Sequence, residues 1–456
     1  MKHATDLGKD KVPFLVLKLA IPSMIAQFVT VLYSIIDRMF IGNIEEIGDI
    51  ALAGVGVCGP IVTLLTSFGT LVGLGGSILM AMRMGAGQKK EAESILAHSF
   101  AMLVAFSAVL TLVFLLSKKY LLNWFGASPL TFPYADTYMT IYTAGTFFAL
   151  MAIGLNYFIT CQGFPAVGMC TVLIGAFTNI VLDPVFIFVF DMGVAGAAWA
   201  TVIAQLASCS FAFYFLVGKK VPIRITPLKR EMLSKNITCR ILSLGLSPFL
   251  ILATDSVIII VMNTVLQHYG GPTEGDLLIT CATIVQSYMM LITGPMLGIS
   301  SGTQAILSYN YGAKATKRVK KAETYILLLC LCFTSLMFLL SRIVPQYFIG
   351  IFTKDPGLTD LCIWGIGTFT LMIVPLSFQY VFVDGFTALG RSKTALFLSL
   401  FRKGDYVLFT IVLPIFYGAR SAFYAQPLAD GIAAIMSTVA FLLIFKKHLQ
   451  KQEVSL

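Results

Sequence analysis

The chain is 456 residues long; 57% of them are hydrophobic and only 12% are charged, with a net charge of +10. A soluble domain carries about 25% charged residues, so a water-soluble enzyme is excluded and a polytopic, all-α membrane protein is indicated. Each span takes about 20 apolar residues, which leaves room for roughly a dozen, and the positive charge fits loops on the cytoplasmic face rather than nucleic-acid binding.

The polar stretch 1–13 has no cleavable signal pattern, and the first span is expected to act as its own insertion signal. Apolar segments bounded by charge, Gly or Pro then fall at about 14–41, 51–82, 94–117, 132–160, 165–190, 194–217, 239–267, 277–309, 323–344, 360–388, 394–416 and 422–445. They predict twelve transmembrane helices.

Basic residues mark alternate connections: Lys2, Lys9 and Lys11 before the first span; Arg83, Lys89 and Lys90 after the second. The link after the sixth carries Lys219, Lys220, Arg224, Lys229, Arg230, Lys235 and Arg240. Lys314, Lys317, Arg318, Lys320 and Lys321 follow the eighth, Arg391 and Lys393 the tenth, and Lys446, Lys447 and Lys451 the last. The intervening loops are poorer in Lys and Arg and carry Glu45, Glu46, Asp49, Asp191, Glu274 and Asp276. Both termini are therefore expected in the cytoplasm of a cell-membrane protein.

The two halves repeat. Gly48-Asp49 returns as Gly275-Asp276, 227 residues on, and Gly75/Gly302, Gly85/Gly312, Lys90/Lys317 and Gly163/Gly390 share that offset. Pro22 and Pro248, near the starts of spans one and seven, are 226 apart. Both halves begin and end on the same side, so the repeat is parallel, about an axis along the membrane normal. The expected division is a six-helix lobe 1–217, a basic linker 218–240 and a second six-helix lobe 241–456, with a central cleft between lobes.

In the fifth span, Asn179 and Asp183 are one helical turn apart and share a face. Pro184 follows, and its missing N–H leaves the carbonyl of Ile180 without its helical partner, a place for a kink. An amide oxygen, a carboxylate and a freed carbonyl suit a proton or a hard cation such as Na⁺. Other acids within spans include Asp37, Asp255, Asp384, Asp405 and Asp430, each costing about 2.5–3.5 kcal/mol at mid-helix. Such residues mark ion or substrate paths. For Asp405 an i,i+3 pair with Arg402 is expected, and for Asp430, just after Pro427, a bracing role in the last span.

Nine cysteines form no C-x-x-C pair and read as small buried hydrophobes, not as a metal or disulfide framework. His3, His98, His268 and His448 make no H-E-x-x-H, and there is no P-loop, so catalytic readings fail. Among 19 Met and 36 Phe residues, Met151, Phe158, Met289, Met290 and Met296 are candidates to line an adaptable substrate path.

Several stretches carry a resemblance over practically the full length: Thr178-Asn-Ile-Val-Leu-Asp-Pro-Val-Phe-Ile-Phe188 running into Gly193-Val-Ala-Gly-Ala-Ala-Trp-Ala-Thr201, then Ser308-Tyr-Asn-Tyr-Gly-Ala313, Ala388-Leu-Gly-Arg-Ser392 and Ala425-Gln-Pro-Leu-Ala-Asp430. With these motifs the chain resembles the MATE (multidrug and toxic compound extrusion) family, nearest its DinF/MepA-like branch. The resemblance implies that Asp37 and Asp183 match the acids of a sodium/proton site. It implies Asn179 as a site amide, Thr201 as a site hydroxyl, and Asn156 and Tyr138 as polar partners nearby. Other branches place functional acids in the helices that here hold Asp255 and Asp384, which implies that those two belong to a cation pathway or to the substrate pathway. One departure is Lys403-Gly-Asp405, where relatives commonly carry Gln after the Arg and no acid.

Two functions compete. One is an ion-coupled exporter of small amphipathic organic cations, driven by Na⁺ or H⁺, needing no cofactor and acting as a monomer in the lipid. The other is a flippase for a lipid-linked precursor, whose anionic headgroup would want a basic cleft, whereas the intramembrane charges are mainly acidic.

Overall fold

A backbone crossing hydrocarbon has to satisfy its own N–H and C=O groups, and uninterrupted helices do so. The computed structural model describes residues 6–44, 47–125, 127–219, 221–226 and 234–445, and every regular element among them is helical. Of the charge pattern, Lys2, Glu45, Glu46, Lys220, Lys229, Arg230, Lys446, Lys447 and Lys451 lie outside the described residues.

The first half runs through α1 (Val12–Gly42), α2 (Gly48–Gly85), α3 (Lys89–Trp124), α4 (Phe132–Ala144), α5 (Thr146–Cys161), α6 (Pro165–Pro184) and α7 (Gly193–Val217). The second begins with α8 (Lys235–Gly312), broken at Gly271 by a left-handed φ of +68° into arms Lys235–Gly271 and Leu277–Gly312. It continues through α9 (Thr316–Ile343), the short α10 (Pro345–Ile349), α11 (Pro356–Phe369), α12 (Ile373–Ala388), α13 (Ser392–Tyr417) and α14 (Ala425–Ala440).

Among the described residues nine stretches are long and apolar enough to cross a membrane singly, and two bent pairs qualify together. The twelfth is α13, whose 26 residues span about 39 Å but carry Arg402, Lys403 and Asp405 within the apolar run. The twelve expected segments are thus twelve crossing units. Two of them are bent rather than continuous: α4 meets α5 at 56° and α11 meets α12 at 48°. Gly145 sits at the first bend, and at the second Pro375 withholds an N–H from the carbonyl of Leu371.

The repeat is written into the backbone. Left-handed residues pair at an offset of 227: Gly87 with Lys314, Gly163 with Gly390, and Asp191 with Gly418. Gly145, at the first bend, pairs at the same offset with Met372, at the second.

The chain forms two compact units, one of residues 1–10 and 25–252, the other of 11–24 and 253–456. Against the expected boundaries at 217 and 241, residues 11–24 group with the second unit and 241–252 with the first. The repeat prolines Pro22 and Pro248 lie just before the points where α1 and α8 change units. Each exchanged start docks on glycine. In the first unit a Cβ on Gly75 of α2 would lie 2.7 Å from the Gly245 nitrogen of α8. In the second, a Cβ on Gly298 would lie 2.7 Å from the Ser23 carbonyl oxygen of α1. Only glycine permits such close backbone approach.

Candidate functional site

Buried polar side chains gather in the first unit at the C-terminal turn of α6. Asn179 is 2% exposed and Asp183 is fully buried. One turn apart, they meet directly: Asn179 Nδ2 donates to Asp183 Oδ1 at 3.1 Å and lies 3.5 Å from Thr201 Oγ1 on α7. Thr201 in turn donates to the carbonyl of Ala197 at 3.0 Å. From α1, Asp37 brings its carboxyl within hydrogen-bonding reach of Asp183. Tyr138 of α4 lies near the Thr201 hydroxyl. Asp37 Oδ1, Asn179 Oδ1 and Asp183 Oδ2 are buried and have no hydrogen-bond partner among the described residues. Buried oxygens left this way carry a desolvation cost. A proton or a cation with oxygen preference removes it, and two facing carboxyls need one or the other between them.

Pro184 closes this turn. It has no N–H for the carbonyl of Ile180, and the next amide, Val185 N–H, turns to Leu182 instead. The chain then widens into a π turn over Val185–Val189, with Phe190 N–H bonding the Val185 carbonyl at 2.9 Å. The kink expected from the proline takes the form of a change of helix type directly beside Asp183.

Asp37, Asn179, Asp183, Thr201 and Tyr138 are therefore brought together, and Asn156 is not. Its amide donates to the carbonyl of Gly168 at 2.9 Å, fifteen residues before Asp183 on α6, where it fastens α5 to the start of that helix. Three further residues complete the cluster. Tyr33 lies within electrostatic range of both carboxyls; Tyr142 stacks on Tyr138 at 6.1 Å and 12°; Gln205 Nε2 donates to the Tyr142 hydroxyl at 3.2 Å. Each stands four residues from a recognised member, before Asp37 or after Tyr138 and Thr201. The one-turn spacing that linked Asn179 to Asp183 applied to them as well.

In the second unit Asp255 is ion-paired with Lys403 of α13, its side chain 46% exposed against 10% for the lysine. The departure at Lys403 thus has a partner. Arg402 does not pair with Asp405 as the i,i+3 spacing suggested. It reaches Asp430 of α14 at 2.8 Å, where Gln426 Nε2 also donates at 2.8 Å. Asp430 is fully buried, and a guanidinium finds better compensation there than beside a half-buried aspartate. Asp384 accepts from the hydroxyl of Ser300. Met151, Phe158 and Met296 are sealed in the interiors of their units, at 1%, 0% and 0% exposure. Met289 is buried too, and only Met290, 55% exposed, is open as a path-lining side chain would be. Phe158 instead packs against Gly76 of α2.

Twelve membrane-crossing units in two repeated halves, with a buried oxygen cluster in one of them, define a membrane transporter. Residues 22–185 and 250–413 each match the MatE family, two matches 228 residues apart, and the chain belongs to that family. A multidrug export protein MepA from Staphylococcus aureus strain N315 is similar, 22% identical over 93% of this chain and 92% of its own length. Two solved structures, described as a MATE in the bent and in the straight conformation, share the fold. Each has a TM-score of 0.89 at 23% identity, covering 97% and 98% of this chain and 98% of their own.

Proposed function

We propose that this chain exports small amphipathic organic cations across the cell membrane, with both termini in the cytoplasm, in exchange for Na⁺ or H⁺. The buried oxygens of Asp37, Asn179 and Asp183 that lack partners carry this reading. The ion takes that position and favours the conformation that releases substrate. Exchange requires only that ion and substrate prefer different conformations. The multidrug export activity named for the Staphylococcus relative supports the substrate class.

The experiment is reconstitution in liposomes with a fluorescent organic cation, imposing a Na⁺ gradient and a pH gradient separately. Efflux is expected with at least one of them and is expected to be lost in Asp183→Asn, which keeps shape and removes the ionisable group. Efflux driven by neither gradient, or undiminished in Asp183→Asn, refutes the assignment.

A further inference from the structure

A second set of buried polar atoms without partners among the described residues lies in the other unit. Glu323, in the second turn of α9, is 2% exposed, and neither of its carboxyl oxygens has a hydrogen-bond partner among the described residues. It faces α12 at Gly385, where a Cβ would lie only 3.0 Å from the Glu323 carboxyl carbon. Asp384, the residue before Gly385 on α12, lies within electrostatic range of Glu323. On the far arm of α8, Gln304 lies beside Asp384. It too is 2% exposed, and neither amide atom has a hydrogen-bond partner among the described residues. Ser300, one turn earlier, donates its hydroxyl to Asp384 Oδ2.

The atoms left over are two carboxyl oxygens, one amide oxygen and one amide nitrogen. Acceptors outnumber donors, and the missing element is a hydrogen to donate. A fully buried ionised carboxylate without partners costs several kcal/mol, whereas a carboxylic acid supplies the donor itself. A bound metal ion fits less well, because the carboxyl packs so close to Gly385 that a Cβ there would clash with it, and a coordinated cation needs oxygens at about 2.3–2.6 Å around it. A proton needs no such room.

We propose that Glu323, with Asp384, Gln304 and Ser300 around it, is a second proton-binding site, belonging to the second unit and distinct from the Asp37–Asp183 cluster. Among the described residues, the titratable groups within electrostatic range of Glu323 are Asp384 of α12 and Cys330 of its own helix. The proton rests on Glu323 and is given up when Glu323 gains access to water. Asp384, expected on the substrate pathway, here holds the proton's surroundings in place.

Two measurements on the full chain in lipid nanodiscs test this without recourse to transport. The first treats the wild-type protein at neutral pH with a hydrophobic carbodiimide, which reacts with protonated carboxyls, and maps the adduct by peptide mass spectrometry. Modification of Glu323 that falls as pH is raised is expected; an unmodified Glu323 alongside modified carboxyls elsewhere overturns the proposal. The second is infrared spectroscopy of the carboxylic-acid carbonyl band. A component of that band is expected to survive in Asp37→Asn/Asp183→Asn, to vanish in Glu323→Gln and to shift in Asp384→Asn. A band identical in Glu323→Gln and wild type means that Glu323 is ionised, and the proposal falls. Because the first measurement uses the unaltered protein, a variant that fails to fold does not blunt the test. Loss of ion-driven efflux in the Asp183 variant bears on the other site alone.

Discussion

Replacing Pro184 by alanine asks whether the helix break beside Asp183 is part of the transport cycle. The substitution returns an N–H to the carbonyl of Ile180 and removes the reason for the turn to widen into the π segment Val185–Val189. One regained hydrogen bond is worth about 0.5–1.5 kcal/mol, a roughly 2- to 13-fold change in the ratio of two conformations. Coupling between sites is commonly 1–3 kcal/mol, so a single alanine is enough to bias the cycle toward the straight form. Spin labels belong at Phe177 and Phe190, which are 71% and 62% exposed, whereas Ala176 is buried and a label there would disturb packing. Thirteen residues of straight helix separate them by about 20 Å. A shorter population is expected in wild type, responsive to Na⁺ or to pH, and depleted in Pro184→Ala. That variant is also expected to be as heat-stable as wild type but slower in gradient-driven efflux. A distance distribution unchanged by ion, by pH and by the alanine refutes the switching role and leaves Pro184 as a fixed bend.

Asp37→Asn and Asp183→Asn should each abolish ion-driven efflux, and the double variant should be no worse, because the two carboxyls serve one ion; additive losses in liposome efflux would separate them. Arg402→Met should lower thermal stability by about 3–5 kcal/mol by stranding the buried Asp430, and adding Asp430→Leu should recover most of it in detergent melting experiments. Gly73→Ala should destabilise by about 1–3 kcal/mol, since its Cβ would come 2.7 Å from Gly154 Cα of α5; an unchanged melting temperature would mean that α2 and α5 separate more easily than their packing implies.

The family relation rests on the same residues that the sequence made conspicuous. Hydropathy is additive along the chain, so twelve membrane-crossing units and their order follow from composition taken window by window. The repeat was equally legible, because the glycines that mark it are required locally: Gly163 and Gly390 both adopt left-handed φ. Asn179 and Asp183 were readable as a pair because helix geometry alone places i and i+4 together.

What the sequence left open depends on contacts between residues far apart in the chain. Whether Arg402 serves Asp405 or Asp430 is decided by which carboxyl is more deeply buried, and burial is a property of the packed unit. Lys403 finds Asp255 148 residues away, and no local spacing announces that. Asn156 and Tyr138 look alike as polar residues in apolar spans, yet packing turns one to Gly168 and the other to Thr201. The exchange of the first turns of α1 and α8 between the two units is likewise invisible to hydropathy, because a helix reads the same whichever neighbour its glycine face meets. Glu323 is the clearest case. It stands seven residues from the start of α9, where a basic stretch gives way to the ninth apolar segment, and only the closure of α12 over it through Gly385 makes it a buried acid.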